Sequence, residues 1–194
     1  MSVALDRGKS ALLVMDYQSA IVDMVAGSSP ELLPKAARAL AAARKAGLKV
    51  IYVVIGFRPG FPEIGPGNKS FQALRGSGRF APGGPGTEVH PSIAPESGDF
   101  TATKRRVSAF AGSDLEMLLR AQGIDTLVLA GISTSGVVLS TLRQAADMDF
   151  RLAVLRDACA DPDLQVHACL MDKVFPRQAE VLDVEAFVAE LEKA

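Results

Sequence analysis

Two cysteines, two histidines and no tryptophan in 194 residues leave little material for several kinds of site. Cys159 and Cys169 are too few for a disulfide framework and form no CxxC pair. His90 and His167 stand in different segments, so no cluster of His and carboxylate ligands for a catalytic zinc is visible. Neither a metal nor an organic cofactor is expected. An excess of charge is also lacking: 21 Lys and Arg against 22 Asp and Glu leave a formal net charge of −1. That balance argues against a nucleic-acid groove or a polybasic membrane face. No apolar run approaches the ~18 residues that a membrane span needs. The N-terminal stretch MSVALDRGKS has no apolar signal-peptide core. Internal repeats, low-complexity tracts and coiled-coil heptads are missing as well. These absences lead us to expect a soluble, cytoplasmic protein with one domain over residues 1–194.

What is present is an alternation of apolar runs and amphipathic stretches. ALLVM (11–15) has the length and composition of a strand buried on both faces. PELLPKAARALAAARKAG follows as an alanine-rich helix stopped near Gly47, and KVIYVVI is the next strand. Residues 56–100 are rich in Gly and Pro and carry scattered aromatics, which predicts ordered loops with one short helix. Regular patterning then resumes. SDLEMLLRAQG reads as a helix, TLVLAG as a strand, SGVVLSTLRQAADM as a helix and RLAVLRD as a strand. DPDLQVHACLMDKV reads as a helix, AEVL as a last strand and VEAFVAELEKA as a terminal helix. This pattern predicts an α/β fold: a three-layer, doubly wound, mainly parallel sheet flanked by helices. In the common strand order 3-2-1-4-5-6, ligands bind beyond the carboxyl ends of the strands where the order reverses. Asp16, which ends the first strand, then lies beside GISTSG (131–136), which leaves the later strand TLVLA.

Few residues there can carry chemistry. Asp16 follows five apolar residues, so its carboxylate is predicted at the sheet rim in partly desolvated surroundings, as a general base or acid. A helix cap or turn is the plainer role for an aspartate at such a place. The run Lys104, Arg105, Arg106 has the composition of a solvated face, and we read both arginines so, whereas Lys104 could fold inward to Asp16. Backbone N–H groups of GISTSG could face an anion at a helix N-terminus. A simple Ser or Thr cap is the common alternative. GISTSG is not a G-x-S-x-G nucleophile elbow, because Ser135 stands where the second glycine belongs, and no histidine is near in sequence. GPGNKS (65–70) lacks phosphate-loop spacing. A thiolate pair of Cys159 with His167 is a weaker reading than a packing cysteine.

Taken together, ALLVMDYQ with Asp16 and Gln18, TKRRVSAFAGSDLEMLLRAQGIDTLVLAGISTSG, and STLRQAADMDFRLAVLRDACAD resemble the isochorismatase-like hydrolase superfamily. The resemblance spans nearly the whole chain, least in 56–100. It implies a Rossmann-like sheet, a small-molecule substrate, and a homodimer or larger homo-oligomer. Cysteine hydrolases of that family use an Asp, Lys and Cys triad. By motif, Asp16 matches the general base and Lys104 the lysine that orients it. The family turn commonly reads G-[IV]-x-T-x-x-C-V, which places Val137 at the nucleophile position. The resemblance also implies a cis peptide at Ile132–Ser133 and an oxyanion hole from the amides of Ser133 and Val137. Gln18, Thr134 and Ser135 are candidates for the substrate pocket. The metal-holding histidines of nicotinamidases have no counterparts in VVIGFRPGFPE.

Valine cannot attack a carbonyl, so the thioester route is closed. True isochorismatases resemble this case: they lack the cysteine and protonate a vinyl ether from the aspartate. The leading expectation is therefore a hydrolase acting through Asp16 and Lys104 without a covalent nucleophile. One alternative is an inactive family member that binds a small molecule or serves as a scaffold. Another is an amidohydrolase in which Ser133 or Ser135 replaces the thiol.

Overall fold

Alternate residues of each central strand belong to opposite cores, and this builds the three layers. The computed structural model of the chain describes residues 5–77, 80–84 and 86–193. The first four residues of MSVALDRGKS, Gly78, Arg79 and Pro85 of the 56–100 region, and Ala194 lie outside them. Among the described residues, six strands form one sheet in the order β3-β2-β1-β4-β5-β6, with every pairing parallel. They are β1 (Ser10–Met15), β2 (Lys49–Ile55), β3 (Phe100–Lys104), β4 (Thr126–Ile132), β5 (Arg151–Ala160) and β6 (Glu180–Leu182). The helices are α1 (Ser19–Val22), α2 (Leu32–Ala46), α3 (Lys69–Ser77), α4 (Leu115–Ala121), α5 (Leu139–Asp147), α6 (Leu164–Cys169) and α7 (Val184–Lys193).

Leu12 and Val14 of β1 pack with Val128 and Ala130 of β4 against Leu40 of α2 and Phe187 of α7. Their neighbours Ala11, Leu13 and Met15 pack on the other face with Leu119 of α4 and Leu142 of α5. Period-two alternation in strands that are apolar at both parities thus gives one sheet between two helical layers. The doubly wound fold and the strand order expected from the sequence are both present.

Several local readings need correction. A strand was missed: β3 lies at the sheet edge and reads FTATK, with Thr101 and Thr103 exposed and only Ala102 and Lys104 buried. So short a run, polar at every second residue, carries too little apolar signal to stand out. β5 runs to Ala160, beyond the predicted Asp157, because the pairing with β4 skips from Leu129–Val154 to Gly131–Cys159. The intervening polar Arg156 and Asp157 hid the continuation. The stretch 135–148 is not one α-helix, since Thr134–Val138 forms a wider π turn ahead of α5. Likewise 161–174 divides into α6, capped by the Asp163 carboxylate, and a π turn at Leu170–Val174. Within 56–100 the short helix is α3, joined by a 3-10 turn at Pro91–Ile93. Gly47 ends α2 with a left-handed φ of 78°, as a helix-stopping glycine does.

Candidate active site

Met15, the last residue of β1, pairs with Gly131 of β4, so the chain leaves both strands side by side at the switch point. Gly131 is required by this approach. A Cβ there would lie 3.1 Å from both the Cβ and the carbonyl oxygen of Met15 and 3.2 Å from Val138 Cγ2. Gly131→Ala is therefore expected to cost about 1–3 kcal/mol of stability, read as a lower urea midpoint at unchanged slope.

Asp16 turns the chain off β1 with a left-handed φ of 60°, and its amide donates to Val53 O at 2.8 Å. Only 5% of the residue is exposed. On the far side of β2, Lys104 ends β3 opposite Ile55 and is 1% exposed. Ala102 and Lys104 share the inward parity of that edge strand, which directs the lysine beneath β2 toward β1. Its ammonium donates to Asp16 Oδ2 at 2.9 Å, to Arg106 O at 3.0 Å and to Val107 O at 3.1 Å. All three ammonium donors are thereby used. The other carboxylate oxygen, Asp16 Oδ1, is buried without a hydrogen-bond partner. Burial pushes the Asp16 pKa up to about 6, against the opposing pull of the Lys104 charge and hydrogen bond. Lys104 folds inward to Asp16, then, but the two arginines after it are not a solvated face. Arg105 pairs with Glu63 at 3.5 Å, and Arg106 donates to the carbonyls of Arg105 and Glu63. Both are half-buried ties to the 58–64 loop.

The turn after β4 begins with a cis peptide at Ile132–Ser133, the position that the resemblance indicated. Ser133 and Val137 line the same cavity as Asp16 and Lys104. That cavity has a volume of about 350 Å³, and most of its wall is apolar. Thr134 and Ser135 do not line it. Thr134 is fully buried with its hydroxyl 2.8 Å from His167 Nδ1, and exposed Ser135 donates its backbone N–H to Asp161 Oδ2 at 2.8 Å. Asp161, ahead of α6, and His167, on α6, thus hold the turn, a role that the sequence pattern gave to neither. Sequence distance concealed them, as 26 and 33 positions separate the partners. Gln18 also lies outside the cavity wall. Its buried amide donates to Ile55 O and Thr87 O and accepts from Ile55 N, so all its polar atoms are engaged in joining β2 to the 87–89 segment. The third wall is α3, whose Phe71 and Leu74 come from the loop region that sequence reading could not assign.

No histidine or cysteine is among the described residues that line the cavity, although His167 holds the turn through Thr134. Cys159 is in the core with its pKa pushed up to about 12 by burial, and Cys169 is exposed. Among the described residues, no group of three His, Cys, Asp or Glu side chains is placed to hold a metal ion.

A concave, mainly apolar cleft with a few convergent polar groups, opening at the carboxyl edge of a doubly wound sheet, is where α/β enzymes bind their ligands. Comparison with known proteins is more specific. The Isochorismatase domain model matches residues 10–186. The chain is 32% identical over 187 residues to the isochorismatase family protein YwoC of Bacillus subtilis (strain 168), covering 96% of each. It is 32% identical to the ureidoacrylate amidohydrolase RutB of Methylobacterium radiotolerans, over 97% of this chain and 82% of that protein. A cysteine hydrolase from Pseudomonas syringae pv. phaseolicola 1448A shares the fold with a TM-score of 0.90 at 23% identity, over 99% of this chain and 96% of that one. The chain belongs to the isochorismatase-like hydrolase family.

Proposed function

We propose that this hydrolase cleaves a small molecule by proton transfer from Asp16, positioned by Lys104, with no covalent intermediate at Val137. The observation that carries this reading is the Asp16 carboxyl itself. One oxygen is held by Lys104, the other is unpaired and buried at the cavity, and its pKa is raised to about 6. A carboxyl with that pKa keeps a usable fraction of its proton near neutrality, as a general acid must. Val137, 2% exposed on the cavity wall, offers no nucleophile.

Vinyl-ether hydrolysis suits this set of groups. The Asp16 proton passes to the terminal vinyl carbon and leaves an oxocarbenium ion and a carboxylate, which Lys104 stabilises. Water adds to the cation and returns a proton to Asp16, and the hemiketal or hemiacetal collapses to a carbonyl compound and an alcohol. The backbone N–H groups of Ser133 and Val137 are the donors we assign to an acceptor oxygen of the substrate. The homo-oligomer implied by the family resemblance is part of the same proposal.

A second reading is favoured by two observations. Ser133 lies on the cavity wall, and a relative at 32% identity is named an amidohydrolase. In that case the Ser133 hydroxyl or a water attacks an amide with Asp16 as base; exposed Ser135 is outside the cavity and is not a candidate. Turnover of isochorismate, aryl vinyl ethers, primary amides and ureido compounds, followed by mass spectrometry, separates the readings. Vinyl-ether cleavage supports the proposal, amide cleavage supports the alternative, and a blank panel moves the protein toward a binding role. The acid role also sets the sign of the pH dependence. Turnover is expected to be full near pH 5 and to fall about tenfold per unit above the Asp16 pKa of about 6. A limb rising toward alkaline pH would instead mean that Asp16 acts as a base.

A further inference from the structure

The site has one polar end, and apart from Ser70 and Ser77 the rest of its wall is apolar. Asp16, Lys104 and Ser133 are at that end, and the charges of the first two face each other at 2.9 Å. Much of the remaining wall comes from two directions. Ile21, Met24 and Val25 line it from α1 and the turn after it, and Phe71 and Leu74 line it from α3. Phe80 follows α3 on the same wall. Ser70 and Ser77, also on the wall, spend their hydroxyl protons within their own segment, on Asn68 Oδ1 and Leu74 O. Arg106 is not a lining residue: two of its N–H groups go to the carbonyls of Arg105 and Glu63, and its guanidinium lies over the Phe71 ring, 5.9 Å from the centroid. Two lining side chains, Met24 at 54% and Val107 at 37%, remain exposed, so part of the surface bordering the site is apolar as well.

Resting on the proposed function, we infer that the part of the substrate remote from the cleaved bond is an uncharged apolar group of about the size of one ring. A carboxylate on that part would leave water for a wall with no cation among its described residues other than Lys104, whose donors are already used. Desolvating an ion without a partner costs several kcal/mol. An aryl or alkyl group gains instead from apolar contact. The cavity volume of about 350 Å³ is near the lower end for small-molecule sites, which limits that group to a small one.

Saturated ethers test this apart from the chemistry, since they lack the vinyl carbon that Asp16 would protonate. Binding of ethoxybenzene and of 4-ethoxybenzoate to the wild-type protein is measured by calorimetry at pH 7.5. Ethoxybenzene is expected to bind at least tenfold more tightly. Leu74→Lys, which places a cation on the α3 wall, is expected to narrow or reverse that ratio. Arg79, outside the described residues, falls between Ser77 and Phe80 in the sequence, so Arg79→Ala is measured in parallel. Equal or tighter binding of the benzoate by wild type would overturn the inference, and loss of that preference in Arg79→Ala would identify the missing cation. Failure of ethoxybenzene to bind at millimolar concentration would overturn it too. If the ethers bind as expected while aryl vinyl ethers are not cleaved, the proposed reaction fails and this assignment stands.

Discussion

Asp16→Asn is expected to lower kcat by about 10²- to 10⁴-fold, the usual worth of a general acid. The effect on KM should be small, because Asn keeps the shape of the carboxyl and loses only its transferable proton. The case rests on an arrangement that stability alone does not favour. A buried carboxylate with one oxygen unpartnered carries a desolvation cost that its lysine offsets only in part. Asn at 16 still offers an oxygen to Lys104, so the variant should remain folded, which circular dichroism checks. Equal turnover by Asp16→Asn and wild type would remove Asp16 from the chemistry.

The second large effect concerns Lys104. Lys104→Met removes the cation from a buried pair and is expected to cost about 3–5 kcal/mol of stability above neutral pH. The size depends on pH in a definite direction. The folded pKa of Asp16, about 6, is above its ordinary value of 3.8. Its contribution to stability is thus fully present below about pH 4 and is lost as pH rises through about 6. Lys104 lowers that pKa, so without it the folded value climbs further and the loss extends to higher pH. Urea unfolding of Lys104→Met should show a small deficit near pH 4 and a large one near pH 8. The same change should move the fall in turnover at rising pH to higher pH. A deficit independent of pH would mean that the lysine contributes by packing alone.

How much of this was legible in the sequence depends on how each residue signals its place. β1, β2 and β4 are apolar at both parities, and their burial between two helical layers follows from that. Asp16 and the 131–137 turn could be brought together by topology, since adjacent parallel strands end at one edge. Lys104 could be suspected of folding inward, but its strand could not be recognised, because an edge strand needs only one apolar face. Contacts made by side chains across long sequence gaps were not legible. Gln18 looked like a pocket residue and proves to be a backbone clamp, while Thr134 is taken by His167. The α3 wall came from the Gly- and Pro-rich stretch, where Phe71 and Leu74 carry helical spacing too brief to read.

The most direct test of the central claim follows where the proton goes. Wild type and Asp16→Asn are given phenyl vinyl ether in D2O, and the acetaldehyde released is analysed at once by mass spectrometry. The account predicts phenol release by wild type with one deuterium in the acetaldehyde methyl group, and almost none by Asp16→Asn. Cleavage at equal rates in both proteins, or an intact ether beside hydrolysed amides with an acyl group on Ser133, would contradict it.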